Sequence, residues 1–268
     1  MSTRVAVVGV GQTPFTRNCG MGIRELCFEA FKDAVEDINL TSKEIDASIV
    51  CSAPEYDKQR SPSSLISEYL GLTPKPTFYA ESLCSSSTTG FRIAYSFIKS
   101  GLHDVVAVIG FQKMSELSSA EVQERMGRGA DIQWETPFGS MMPAGYALYA
   151  RAHMQKYGTT EEQLAKVRVK SGKYSVLNPL AMFQRVLTLE ECLSARVISS
   201  PLKLYDCCAN ADGASCVILA SEEKAKKITD TPVWVAGVGS ATDTLSTTGR
   251  TNFTGLTCAV EAARQAYK

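Results

Sequence analysis

Histidine is nearly missing from this chain: His103 and His153 are the only two in 268 residues. A metal centre would have few nitrogen ligands to draw on, and the cysteines do not compensate. No Cys-x-x-Cys pair occurs, and the adjacent Cys207 and Cys208 cannot both turn comfortably toward one ion. A surplus of positive charge is also lacking. Lys plus Arg and Asp plus Glu stand at 28 each, so nothing is left over to neutralise a phosphate backbone, and nucleic acid is excluded as the main partner. Long apolar runs are absent too. Val105 to Ile109 is far too short to span a bilayer, and Met1-Ser-Thr-Arg-Val5 enters a strand-like run without a leader's apolar stretch. The expectation is a cytoplasmic protein with no membrane partner. Nine cysteines would suggest disulfides in a small secreted domain. In this setting most of them read as small buried hydrophobes, and one needs a different explanation.

What the chain does have is strand-like runs rich in Val, Ile and Ala: Val5 to Val10, Ser48 to Cys51, Val105 to Gly110, Cys216 to Ala220 and Val233 to Val238. Continuous apolar strands are those covered on both faces, so the fold class is layered α/β. Ile23, Leu26, Cys27, Ala30, Phe31, Ala34, Val35 and Ile38 follow helical spacing and form an amphipathic helix over a sheet. Phe91 to Ile98 is apolar almost all round its axis, which predicts a helix between two sheets. From Gln112 to about Pro201 the alternation stops. Capping boxes at Thr160/Gln163 and Thr188/Glu191 mark helix starts there, so residues 112–201 read as an inserted helical domain. Met141 and Met142 lie in it and suit either an acyl pocket or core filling. Asp212-Gly213 reads as a turn into the next strand, and Ser221 as the cap of the charged helix that follows.

The run Val5-Ala-Val-Val-Gly9-Val-Gly11 returns as Val233-Trp-Val-Ala-Gly237-Val-Gly239, identical at five of seven positions. Coincidence between two short Val/Gly strands is the plainer explanation. A duplicated fold is the other, with the second half starting near Thr231 and ending after one strand and one helix. The Gly9-x-Gly11 pair also invites a dinucleotide reading. Pro14 stands where the third glycine is needed, and no acidic ribose ligand ends the next strand.

The exceptional cysteine is Cys84, in Phe78-Tyr-Ala-Glu-Ser-Leu-Cys84-Ser-Ser-Ser-Thr-Thr-Gly90-Phe91. A short strand-like piece precedes it and the all-round apolar helix follows. A cysteine at a helix N-terminus meets unpaired amides and the positive end of the dipole, which favour thiolate over thiol. A thiolate is a good nucleophile and a good thioester leaving group, suited to acyl exchange. Small hydroxyl residues after it leave room for an acyl group. The competing view is a structural cysteine before a serine-rich helix start. His103, just before a strand, and His153, in a helix, read as ordinary structural histidines.

Glu81 to Ala94 resembles the nucleophile segment of the thiolases, most nearly the branch of sterol carrier protein thiolases and their archaeal relatives. The likeness continues through Gly145-Tyr-Ala-Leu-Tyr-Ala-Arg151, Tyr157-Gly-Thr-Thr160, Asn178-Pro179 and Pro201-Leu-Lys-Leu-Tyr-Asp206 to Ala214. The resemblance implies a five-layered αβαβα fold of two similar halves with a helical loop domain inserted in the first. Residues 1–111 and 202–230 would form the first half, 112–201 the loop domain, and 231–268 the beginning of a truncated second half. It implies reversible Claisen condensation or thiolytic cleavage of 3-oxoacyl-CoA, with Cys84 carrying the acyl group. Coenzyme A thioesters would be substrates with no tightly bound cofactor, and the chain would act as a homo-oligomer, commonly a dimer, or with a partner subunit. The family's catalytic histidine, its further acid/base residue and its Gly-rich C-terminal segment have no match here. That departure keeps a second expectation open, a non-catalytic acyl-CoA-binding or scaffold subunit. Ketosynthases and hydroxymethylglutaryl-CoA synthases share the implied fold and nucleophile, but the segments after Gly145 fit thiolases better.

Overall fold

The computed structural model describes residues 3–268; Met1 and Ser2, part of the N-terminal segment read above as leaderless, lie outside the described residues. In chain order the elements begin β1 (Val5–Gln12), α1 (Ile23–Glu36), β2 (Ala47–Cys51), α2 (Pro62–Tyr69), β3 (Thr77–Ala80), α3 (Ser86–Lys99) and β4 (Val105–Lys113). The chain continues through α4 (Ser119–Gly127), α5 (Met142–Tyr157), α6 (Glu161–Ser175), α7 (Leu189–Leu193) and the small hairpin β5 (Val197–Ser199) and β6 (Leu202–Lys203). It closes with β7 (Asp212–Ser221), α8 (Glu222–Ile228), β8 (Val233–Trp234) and α9 (Thr257–Ala266).

Six strands form one mixed sheet in the order β3-β2-β4-β7-β1-β8. β2 runs parallel to β3 and β4, whereas β7 is antiparallel to both its neighbours, β4 and β1. Side chains alternate across the sheet, as the pleat requires. Val105, Ala107, Ile109 and Phe111 of β4, with Ile218 and Ala220 of β7, pack against Leu26, Cys27, Ala30, Phe31 and Ala34 of α1. Val106, Val108 and Leu219 point the other way, toward Ala94 and Ile98 of α3. Both faces are therefore apolar, which is why the strands read as continuous hydrophobic runs.

Two compact units are distinguished. The first comprises the residues up to Glu116 together with Ala211–Val238 and Gln265–Lys268, and holds the sheet. The second comprises Leu117–Asn210 and Gly239–Arg264. Its small core joins Ala165, Leu187 and Cys192, flanked by Val169, Leu189 and Tyr205. The capping boxes at Thr160/Gln163 and Thr188/Glu191 form as read, each hydroxyl accepting from the amide three residues on.

The two glycine-rich runs meet helices in the same way. A Cβ on Gly9 or Gly11 would overlap the carbonyls of Ala34 and Ala30, four residues apart on α1. A Cβ on Gly237 or Gly239 would overlap those of Ala266 and Ala262, again four apart, on α9. Close backbone approach to a helix accounts for all four glycines.

Four local expectations need correction. α3 is not enclosed all round: Ser86, Gly90, Ala94 and Ile98 are buried against the sheet, while Phe91, Ile93, Tyr95 and Phe97 are only partly covered. Residues 231–268 supply a two-residue strand and one helix, so among the described residues no second sheet covers the opposite face. For the same reason the predicted strand Val233 to Val238 shortens to Val233–Trp234, with Val235 adding one bond to the carbonyl of Val5. Asp212 is no turn residue but the fully buried start of β7. Ser221 occupies the cap position of α8, yet its hydroxyl makes no capping bond and has no partner.

Candidate functional site

Cys84 lies in a single 3-10 turn, Leu83–Ser85, that runs directly into α3. β3 ends at Ala80, parallel to β2, and Glu81 and Ser82 make the bend between strand and helix. Leu83 sits at φ +50°, in the left-handed region that a branched residue enters only when its surroundings hold it there. Its amide donates to the Glu81 carboxylate at 2.7 Å. The turn closes with the Ser85 amide on the Ser82 carbonyl at 3.0 Å. Small residues bring α3 down onto the sheet behind this turn. A Cβ on Gly90 would overlap Cys51 Sγ, and one on Gly110 of β4 would come within 2.5 Å of the Ser87 hydroxyl.

Cys84 and Cys208 are the two exposed thiols among the described cysteines, and no cysteine is in a disulfide. Cys27, Cys51, Cys192 and Cys216 are buried. Burial pushes their thiols up, Cys51 to about 12, so they remain protonated and inert near neutrality. The expectation that most of the cysteines are buried hydrophobes is met by these four only: Cys19, Cys207 and Cys258 are partly covered and Cys208 is exposed.

The two histidines make their contacts within their own surroundings. His103 packs edge-on against Phe97 near the C-terminal end of α3, about 20 Å of helix from the turn that holds the thiol. His153 lies on α5, with Nδ1 2.7 Å from the Thr159 hydroxyl and its ring against Tyr157.

The second unit contains a cavity of about 450 Å³, lined in part by Trp134, Phe138, Gly145, Leu148, Arg151 and Thr248. Glu135, which no sequence motif singles out, also lines it. That carboxylate is buried and accepts from the amides of Asp131, Thr247 and Thr248 and from the Thr247 hydroxyl. The Thr247 hydroxyl and these amides hold its carboxyl down at about 2 against the opposing effect of burial. Nearby in the same unit, Arg250 pairs with Asp243 at 2.9 Å and lies over the Tyr149 ring. The segment 239–256, without regular structure, is thus fastened to α5 and to the turn before it. Met141 is exposed.

Residues 5–223, from β1 into α8 and including Cys84, match the family description "Thiolase, N-terminal domain". The chain belongs to the thiolase family. The acetyl-CoA acetyltransferase of Methanothermobacter thermautotrophicus (strain Delta H) is 36% identical over 266 residues, covering 98% of this chain and 69% of that protein. Sterol carrier protein 2 of Bos taurus is 33% identical over 237 residues, or 85% of this chain and 43% of that one. Among solved structures, one described as "Ltp2-ChsH2(DUF35) aldolase" superposes with a TM-score of 0.83 at 25% identity, over 98% of this chain and 69% of that chain. A monomeric SCP2-thiolase-like protein type 1 from Mycobacterium smegmatis gives a TM-score of 0.74 at 20% identity, which bears on the fold alone.

Within this thiolase chain, the sequence located the exposed cysteine and its setting. It did not locate Glu135, bound by the distant Thr247 and Thr248, or the seating of Arg250 over Tyr149, and it presented Asp212 as a turn residue. The Asp212 carboxylate, fully buried, accepts from the amides of Cys19, Met114 and Ser115 and from the Ser115 hydroxyl. Burial pushes this carboxyl up, but the Ser115 hydroxyl and the three amides outweigh it and hold it below the usual range. Among the described residues, no group of three or more His, Cys, Asp or Glu side chains is placed to hold a metal ion.

Proposed function

We propose that this chain carries the acyl-accepting part of a thiolase reaction, with Cys84 as nucleophile. The observation that carries the reading is an exposed thiol on a tight turn at the head of α3, inside the matched family region. In the condensing direction the Cys84 thiolate attacks the carbonyl carbon of an acyl-CoA thioester. A bond to Sγ forms, the bond to the coenzyme A sulfur breaks, and coenzyme A leaves as a thiolate that takes up a proton. The α-carbon of a second acyl-CoA, having given up a proton, then attacks the acyl-enzyme and releases the thiolate. Thiolytic cleavage of 3-oxoacyl-CoA is the reverse. Coenzyme A thioesters are the substrates in this reading. The proton-handling group is assigned to a partner subunit, because the contacts of His103 are with Phe97 and those of His153 with Thr159 and Tyr157.

Incubation with acetyl-CoA followed by peptide mass spectrometry tests the reading. One acetyl group on Cys84, lost in Cys84→Ala, supports it. Acetylation that persists in Cys84→Ala, or never occurs on the intact thiol, overturns it.

A second reading has its own support. A relative from Thermomonospora curvata, 30% identical over 251 residues, is a steroid side-chain-cleaving aldolase, and the structure with the TM-score of 0.83 is an aldolase described with a DUF35 component. In that reading the chain breaks a carbon–carbon bond alongside a partner subunit. Retro-aldol cleavage requires no acyl-cysteine, so cleavage activity surviving in Cys84→Ala would select it.

A further inference from the structure

We propose that Ser86 is the positioning residue for Cys84, acting by holding Leu83 in its left-handed conformation. The inference rests on the reading of Cys84 as nucleophile and adds a residue to it. Ser86 is 3% exposed, whereas Ser82, Leu83, Cys84 and Ser85 around it are exposed. Its hydroxyl accepts from the Ser82 amide at 2.9 Å and donates to the Leu83 carbonyl at 2.7 Å. The Ser52 carbonyl, beyond the end of β2, is a longer alternative acceptor at 3.3 Å.

Leu83 is thereby held at both backbone ends, its amide by Glu81 and its carbonyl by Ser86. The peptide between Leu83 and Cys84 carries that carbonyl, so the bond to Ser86 fixes the plane from which the Cys84 side chain departs. A leucine at φ +50° returns toward negative φ when its partners are removed, because its Cβ then crowds the backbone. Loss of the Ser86 hydroxyl therefore turns this peptide and misplaces the thiol. Misplacement of a reacting atom by about 1 Å costs on the order of 100-fold in rate.

Iodoacetamide provides a probe independent of acyl transfer, and the exposed Cys208 provides an internal reference. In Ser86→Ala, alkylation of Cys84 relative to Cys208 is expected to change in rate and pH profile. Acetyl transfer to Cys84 should slow roughly 10- to 100-fold, through kcat rather than KM. Adding Leu83→Gly should restore both, since glycine adopts positive φ without help. Unchanged Cys84 rates in Ser86→Ala overturn the proposal. So does a loss that Leu83→Gly fails to repair, which would make Ser86 a stability residue only. If Ser86→Ala does not fold, the comparison of L83G/S86A with L83G decides: rates within about threefold support the proposal, and a further tenfold loss overturns it. A wild-type chain with Ser86-dependent alkylation but no acetylation would keep the positioning role and overturn the acyl-transfer reading instead.

Discussion

Glu135 and Thr247 lie 112 residues apart in sequence, and the Thr247 amide donates to the Glu135 carboxylate at 2.7 Å. This carboxylate gathers three amides and a hydroxyl, and it makes folding of the second unit depend on pH. Its folded pKa, about 2, lies below the roughly 4.3 of an unfolded glutamate. The stabilisation is complete above the unfolded value and is lost as pH falls from about 4.5 toward 2. Glu135→Gln should remove that part of the acid dependence. Hydrogen exchange at the Thr247 and Thr248 amides, read as protection relative to the intrinsic rate at each pH, is the measurement, with lower protection expected in the variant at pH 7 and in the wild type at pH 3.

Gly239 and Gly145 make a matched pair. A Cβ on Gly239 would overlap the Ala262 carbonyl, whereas one on Gly145, inside α5, meets nothing within 4 Å. Gly239→Ala is expected to destabilise by about 1–3 kcal/mol through overpacking. Gly145→Ala should be stabilising by about 0.5–1 kcal/mol through helix propensity. Thermal or urea unfolding of the two variants should move in opposite directions.

Asp212→Ala would leave the amides of Cys19, Met114 and Ser115 without their buried acceptor. Each unsatisfied buried donor costs about 1–3 kcal/mol, so a loss of at least about 2 kcal/mol is expected. Asp212→Asn keeps the shape but loses the charge and one acceptor oxygen, and should fall between wild type and Asp212→Ala in urea unfolding. Equal stability of all three proteins would show that the loop ends find other partners.

Thiol labelling under native conditions should separate the cysteines by exposure. Cys84 and Cys208 should react first, and Cys27, Cys51, Cys192 and Cys216 only after unfolding. Peptide mapping after a short iodoacetamide pulse checks this. Rapid labelling of Cys51 would contradict the close seating of Gly90 upon it.

Local order in the chain made part of this legible beforehand. α1 could be read because its buried face repeats at helical spacing, and Cys84 because strand, small residues and helix follow one another without interruption. Capping boxes at Thr160 and Thr188 are likewise contained within four residues. What could not be read was whatever depends on distant partners. Asp212-Gly213 is a turn signal in isolation, and only the amides of Cys19, Met114 and Ser115 make it a buried strand start. Glu135 has only the Asp131 amide as a local partner, and its Thr247 and Thr248 donors arrive 112 and 113 residues later. α3 misled for the opposite reason: apolar composition states what a helix can bury, not how many sheets are present to bury it.

β7 sits between β1 and β4 and is hydrogen-bonded to both. Those neighbours are complete by residues 12 and 113, but the strand that joins them begins at Asp212. During synthesis both therefore emerge from the ribosome with an open hydrogen-bonding edge, and the strand that closes the gap starts about a hundred residues after β4 ends and about two hundred after β1 ends. Chains interrupted in that interval would expose two sticky apolar edges, the condition under which nascent proteins most need chaperones.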